Sequence, residues 1–245
     1  MARVIVVGSI NQDVTVTVDR FPTPGETLSG SSLTYGLGGK GANQAAAAAR
    51  SGIPTLFVGA VGTDLAGHSL RTHLAAHGVD VSHLCEVDSP SGTALITVAA
   101  SGENTIILDA GANRASSIAH AKASLFPAPS DIVVLQAEIP SAANAAAIEW
   151  AHSFGARVLL NLAPARATDP ATLSRVDILV VNETEAGLTL GMPAPATPTE
   201  AIGVARALRG MGPRHVVVTL GAQGAAWAAG AEARHSPAIT LGEAL

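Results

Sequence analysis

Val4-Ile5-Val6-Val7 is a short, continuous apolar run closed by Gly8, and it reads as a strand covered on both faces rather than as a helix. Runs of the same kind recur at Thr55 to Ala60, Ile132 to Leu135, Val158 to Leu160, Ile178 to Val181 and Val216 to Thr219. Between them, segments such as Ser141 to His152 and Glu200 to Arg209 have helix-favouring, alanine-rich composition. Buried strands alternating with helices predict an α/β protein with a mainly parallel sheet. Two regions break the rhythm. Val14-Thr15-Val16-Thr17-Val18 alternates strictly, and Thr93 to Val98 with Thr105 to Leu108 flanks the turn-like Ser101-Gly102-Glu103-Asn104. Both read as strands of an antiparallel flap with one exposed face, a lid outside the main sheet.

The chain has 245 residues, 48% hydrophobic and 13% charged, enough to bury a sizeable core and too apolar for extended disorder. A single domain over 1–245 is expected, with lid strands contributed by about 13–36 and 92–109. The Pro-rich Pro193-Ala194-Pro195-Ala196-Thr197-Pro198 reads as a surface loop before a helix, not as a domain linker. A formal charge of -5 and the lack of any Lys/Arg block exclude the electrostatic footprint of a nucleic-acid partner. No apolar stretch reaches the roughly 20 residues of a membrane span, and the first residues lack signal-peptide organisation, so a cytoplasmic protein is expected. The single cysteine, Cys85, has no partner for a disulfide or a cysteine metal cluster.

Among the candidate sites, Gly38-Gly39-Lys40-Gly41-Ala42-Asn43-Gln44 precedes an alanine-rich helix. Glycines around one lysine allow backbone amides to approach a polar, hydroxyl-rich or anionic ligand. Gly36-Leu37-Gly38-Gly39-Lys40-Gly41 also matches the spacing G-x-G-x-x-G. A dinucleotide fingerprint, however, follows the first buried strand and opens its crossover helix, whereas this run comes after the flap. Lys40 is followed by Gly41, which rules out a P-loop. His73 and His77 stand at i, i+4, but without a third ligand they read as a solvated helix face.

Further segments follow in order: Gly8-Ser9-Ile10-Asn11-Gln12-Asp13, Phe21-Pro22-Thr23-Pro24-Gly25-Glu26-Thr27, the Gly38 to Gln44 run, Asp109-Ala110-Gly111-Ala112-Asn113 and Gln136-Ala137-Glu138. Beyond them lie Asn161-Leu162-Ala163-Pro164-Ala165-Arg166, Asn182-Glu183-Thr184-Glu185-Ala186 and Thr219-Leu220-Gly221-Ala222-Gln223-Gly224. Taken together and colinearly from Val4 to about Arg234, they resemble the ribokinase-type family of carbohydrate and nucleoside kinases. The resemblance implies a three-layer αβα ribokinase-like fold with a mainly parallel central sheet and a small antiparallel β lid. It implies ATP-dependent phosphorylation of a sugar hydroxyl, with D-ribose to ribose 5-phosphate favoured over deoxyribose, fructose or nucleosides. Lid strands pair between subunits in such relatives, which suggests a homodimer.

Asn11 and Asp13 lie just past the first strand and Glu138 just past the strand ending near Leu135, at the carboxyl edge where open α/β sheets bind ligands. Carboxylates accept from sugar hydroxyls and amides both donate and accept, so these types suit a furanose. By resemblance the substrate residues are Asn11, Gln12, Asp13, Gly39, Lys40, Gly41, Ala42, Asn43 and Glu138. Strand-end turn chemistry for Asp13 and a helix first turn for Asn43 are the plain structural readings. Asn182 with Glu185 is an ordinary capping-box pattern; the resemblance adds a role, through water, in holding Mg²⁺ near nucleotide phosphates. Asn182, Thr219, Leu220, Gly221, Ala222, Gln223 and Gly224 are the implied ATP contacts.

One element of the family pattern is absent from this sequence. The resemblance calls for a late Gly-Ala-Gly-Asp motif whose amides form an anion hole and whose aspartate is the base. No such run occurs, no aspartate follows Asp177, and Glu243 lacks the surrounding motif. The expectation is therefore a domain with its C-terminal part missing, no catalytic base among these residues, no monovalent-cation site, and severely impaired turnover. A non-catalytic sugar-binding pseudokinase or truncated gene product is the alternative.

Overall fold

A computed structural model describes residues 2–166 and 168–239; Glu243 lies outside them. The chain divides into two compact units, Met1–Phe126 with Glu138–Ala146, and Pro127–Ala137 with Ala147–Leu245.

In the first unit, β1 (Val4–Val7), β2 (Asn11–Val18), β3 (Ser32–Gly38), α1 (Lys40–Arg50), β4 (Thr55–Gly62), α2 (Leu65–Ala76), β5 (Asp80–Val87), β6 (Gly92–Ala99) and β7 (Asn104–Asp109) follow one another. Strands β1, β4 and β5 pair in that order and in parallel. Ile5, Val6, Val7, Phe57 and Val58 are fully buried, as continuous apolar runs in a parallel sheet require. Helix α2 starts where the Asp64 side chain accepts the Gly67 N–H at 2.8 Å. Strand β5 is not legible in the sequence, because Asp80-Val81-Ser82-His83-Leu84-Cys85-Glu86-Val87 mixes charge with apolar residues, a half-exposed pattern suited to a strand paired on one side only.

The remaining strands of this unit form a separate sheet in the order β3-β2-β6-β7. Its two outer pairings are antiparallel, while β2 and β6 run parallel. Cross-strand register aligns Tyr35, Val14, Leu95 and Ile107 into one apolar row. Tyr35 is 63% exposed and Ile107 71%.

Helix α3 (Ser141–Ser153) begins in the first unit and ends in the second, where β8 (Ile132–Gln136), β9 (Arg157–Asn161), α4 (Pro170–Leu173), β10 (Ile178–Asn182), α5 (Glu183–Leu190), α6 (Pro198–Gly210), β11 (His215–Thr219), β12 (Ala225–Ala229) and β13 (Glu232–Ser236) also lie. Strands β8 to β11 are parallel, β12 pairs antiparallel with β11, and β13 pairs antiparallel with β12. Leu135, Val158, Leu179, Val181, Val216, Val218 and Leu208 are buried. Helix α6 begins with Thr197 accepting from the Glu200 N–H and Pro198 in the first turn, a start readable from sequence. The β12–β13 hairpin is not readable in this way, because alanines and charged residues have little strand propensity; β12 becomes a strand here by pairing with β11, and β13 by pairing with β12.

Candidate functional site

The chain leaving β1 and the start of α1 form one interlocked cluster. Gly39 has φ 89 and opens the helix without a side-chain cap. The first amides of α1 are instead satisfied from elsewhere. The Lys40 N–H donates to Glu138 Oε2 at 2.9 Å, the Gly41 N–H to Ser9 Oγ at 3.2 Å, and the Ala42 N–H to the Ser9 carbonyl at 2.9 Å. Ser9 Oγ in turn donates to Glu138 Oε2 at 2.6 Å. The glycines serve this packing directly: a Cβ on Gly41 would lie 2.7 Å from the Ser9 N and O atoms, and one on Gly39 2.9 Å from the Ile10 Cα.

Beside this cluster, Asn11 is 3% and Asn113 1% exposed. Asn113 Nδ2 donates to Asn11 Oδ1 at 2.7 Å and to the Ile10 carbonyl at 3.1 Å, while its Oδ1 accepts the Ile10 N–H at 3.0 Å. The Asp13 carboxylate packs against Gly38, and both burial and, second, the nearby Glu138 charge raise its pKa above the ordinary carboxylate value. Asn43 is exposed on α1 and Gln12 is half-buried on β2. Neither the Lys40 ammonium nor the Asn43 side chain has a polar partner among the described residues. Asn11, Asp13, Gly39, Lys40 and Glu138 therefore converge, Gly41 and Ala42 are buried with their amides used internally, and Asn43 follows one turn along α1. Ser9 and Asn113 lie within the quoted segments, but the sequence does not single them out. Their signal is weak, since a buried serine and asparagine look like turn residues until their long-range partners are known.

In the second unit, Asn182 and Glu185 make the capping box reciprocally: the Glu185 N–H donates to Asn182 Oδ1, and the Asn182 N–H to Glu185 Oε2, both at 2.8 Å. Glu185 is 7% exposed, and its second carboxylate oxygen has no partner among the described residues. Register places Asn182 beside Thr219, at the carboxyl ends of β10 and β11. A 3-10 turn over Gly221–Gln223 follows, closed by the Leu220 N–H donating to the Gly224 carbonyl at 2.8 Å. Thr219, Gly221, Ala222 and Gln223 are exposed and Leu220 is buried. The two glycines of this turn differ. A Cβ on Gly221 meets open space, whereas Gly224 packs against the backbone of Ser236 to Ala238, which accounts for its lack of a side chain without a ligand.

His77 Nδ1 lies 3.2 Å from Arg50 Nη2, and no group of three or more His, Cys, Asp or Glu able to hold a metal occurs among the described residues. No helix among the described residues is long and apolar enough to cross a membrane.

Comparison with known proteins matches residues 1–242 to the family described as pfkB family carbohydrate kinase. The chain is 38% identical over 221 residues to ribokinase of Haemophilus influenzae, covering 89% of this chain and 72% of the relative. To ribokinase of Staphylococcus aureus it is 38% identical over 245 residues, 98% of this chain and 79% of the relative. A solved structure of Arabidopsis thaliana ribokinase complexed with ribose and ATP superposes with a TM-score of 0.85 at 31% identity, over 99% of this chain and 80% of that one. The fold is the three-layer α/β ribokinase-like class, with a mainly parallel central sheet and a small second sheet.

Proposed function

The chain belongs to the pfkB family of carbohydrate kinases, ATP-dependent phosphotransferases acting on sugars, and on that footing we propose that its sugar is D-ribose, phosphorylated at the 5-hydroxyl. The observation that carries the proposal is the pairing of the Asp13 and Glu138 carboxylates in one partly buried site beside Asn11, Lys40 and Asn43. Burial strips Asp13 of solvation and the Glu138 charge adds repulsion, and both raise the Asp13 pKa. A polyhydroxylated ligand that donates to both relieves that cost, and an analogue lacking a hydroxyl would leave an acceptor unsatisfied. Asn11 is fixed by Asn113, while Asn43 and the Lys40 ammonium supply donors with no partner to displace among the described residues.

The nucleotide reading rests on the exposed Thr219 to Gln223 turn beside Asn182. Gly221, open on its side-chain face, lets a phosphate or base come close to backbone; Gly224 contributes to the turn's own packing. The donor chemistry at Glu185 fits hydrated Mg²⁺, since a nearly buried carboxylate keeps one oxygen without a partner among the described residues and Mg²⁺ takes oxygen ligands while retaining waters. Mg²⁺ there would neutralise phosphate charge, and Asn182 and Glu185 would orient its water shell.

No aspartate follows Asp177 in these 245 residues, and transfer to a sugar hydroxyl needs a base to take its proton. A polypeptide of these residues should bind ribose and turn it over slowly. A coupled assay with ribose and ATP, run beside an intact ribokinase, tests this: rates at least about 100-fold lower are expected, and comparable rates refute it. The pseudokinase reading predicts ribose binding with no turnover at all. The row of exposed Tyr35, Leu95 and Ile107 with half-buried Val14 further supports a homodimer through the small sheet. Sedimentation should show a dimer that Ile107→Glu dissociates; a native monomer at tens of micromolar contradicts it.

A further inference from the structure

We propose that Ser9 is a positioning residue for sugar recognition, locking one oxygen of Glu138 so that the other is presented to substrate hydroxyls. The inference rests on the sugar-site reading above. Ser9 is 1% exposed and sits between two groups far apart in sequence. Its oxygen accepts the Gly41 N–H at 3.2 Å, and its proton points to Glu138 Oε2 at 2.6 Å. The direction of that proton is forced, because the Gly41 amide can only donate and an ionised carboxylate can only accept. Lys40 N–H adds a second donor on the same Oε2 at 2.9 Å. One carboxylate oxygen is thereby saturated by a hydroxyl and a helix-start amide, a short, charge-assisted arrangement. Rotation of Glu138 would break both bonds and leave the buried Gly41–Ser9 pair facing nothing. Oε1 remains the oxygen with which Glu138 can meet a ligand, in a fixed direction.

The arrangement also explains the spacing of the glycine run. Glycine at 41 permits the α1 backbone to sit against Ser9, since a Cβ would approach the Ser9 backbone to 2.7 Å. The closeness of Gly39-Lys40-Gly41 to the β1 exit thus serves the orientation of a carboxylate contributed by residue 138. Ser9 itself is not a catalytic residue, because it reaches the ligand only through Glu138.

The test compares ribose and ATP affinities, by titration calorimetry on the full 245-residue chain, for native protein and for Ser9→Ala, Ser9→Cys and Ser9→Thr. Ser9→Ala should weaken ribose about 10-fold, with ATP affinity changed by less than about twofold. Ser9→Cys, nearly the same size but a poor donor, should lose a similar factor and covers the case in which alanine at this buried position fails to fold. Ser9→Thr keeps the hydroxyl and should bind ribose within about threefold of native. A purely structural role would weaken both ligands together or neither. The proposal is overturned if alanine and cysteine bind ribose within twofold of native, or if threonine loses as much as alanine. Native protein that binds no ribose would overturn the sugar-site reading itself, a result distinct from either.

Discussion

The proposed sugar side and the proposed nucleotide side of this chain are built on different plans. On the first, Ser9 Oγ, Glu138 Oε2 and the amides of Lys40, Gly41 and Ala42 are tied between elements by hydrogen bonds that span up to 129 residues. Around Thr219 to Gly224 the turn is exposed and closes largely on itself, Leu220 with Gly224 and Gln223 with Leu220, its longer links being Thr219 Oγ1 to the Val181 carbonyl at 3.4 Å and His235 Nε2 at 2.6 Å from the Gln223 carbonyl oxygen. These two plans draw binding energy from different sources. A preorganised, desolvated site penalises a missing partner heavily, whereas an exposed turn offers backbone and shape with little stored cost.

The largest effect that would undo this contrast is on ligand affinity. Asp13→Ala removes a carboxylate from the preorganised side and should weaken ribose about 100-fold, while Ala222→Ser on the turn should alter ATP affinity less than threefold, both read by calorimetry. Next come the glycines. Gly41→Ala should cost about 2–3 kcal/mol in a denaturant titration because its neighbours are Ser9 backbone atoms. Gly221→Ala meets no neighbour and should cost about 1 kcal/mol, from its φ of 50° alone. Equal costs would mean the two turns are equally packed.

A smaller and opposite-signed effect separates stability from binding at one residue. The Asp13 pKa is raised in the fold, so ionising it opposes folding: stability contributed by the neutral form is present at low pH and is lost as pH rises through the raised value. Asp13→Asn should therefore raise the melting temperature at pH 7 by about 1–3 °C while weakening ribose, a trade expected of a strained binding site. A lower melting temperature would show that the carboxylate is stabilising. The smallest effect is at Glu26, which pairs with the exposed Arg20 and whose pKa is lowered to about 2. Its contribution is present above the ordinary glutamate value and lost as pH falls toward 2. Glu26→Gln should shift the melting temperature at pH 7 by less than about 1 °C, since exposed ion pairs contribute little.

Legibility in the sequence follows the same division. The buried parallel strands are plain because Val4 to Val7 or Ile178 to Val181 must be apolar on both faces. The Asn182–Glu185 capping box is equally plain, being local. What stays hidden depends on partners distant in sequence: β12, whose alanines become a strand only against β11, and the parallel join of β2 to β6. Ser9 and Asn113 belong with these, because nothing in their neighbourhoods names Glu138 or Asn11 as the group each one holds. The glycine run reads, as sequence, like a place for a ligand to approach amides. Those of Lys40, Gly41 and Ala42 are already bonded within the protein, so the run's contribution is to bring Ser9, Lys40 and Glu138 together.

If ribose and ATP are held by these two distinct sets of residues, amide chemical-shift mapping of the chain with each ligand added alone will separate them. Ribose should shift Asn11 to Asp13, Gly39 to Asn43 and Glu138 while leaving Thr219 to Gly224 in place, and ATP should do the reverse around Asn182 and Thr219 to Gln223. Ribose shifts centred on the 219–224 turn, or none at the Asp13–Glu138 cluster at saturating sugar, would refute the division of the chain into a sugar side and a nucleotide side.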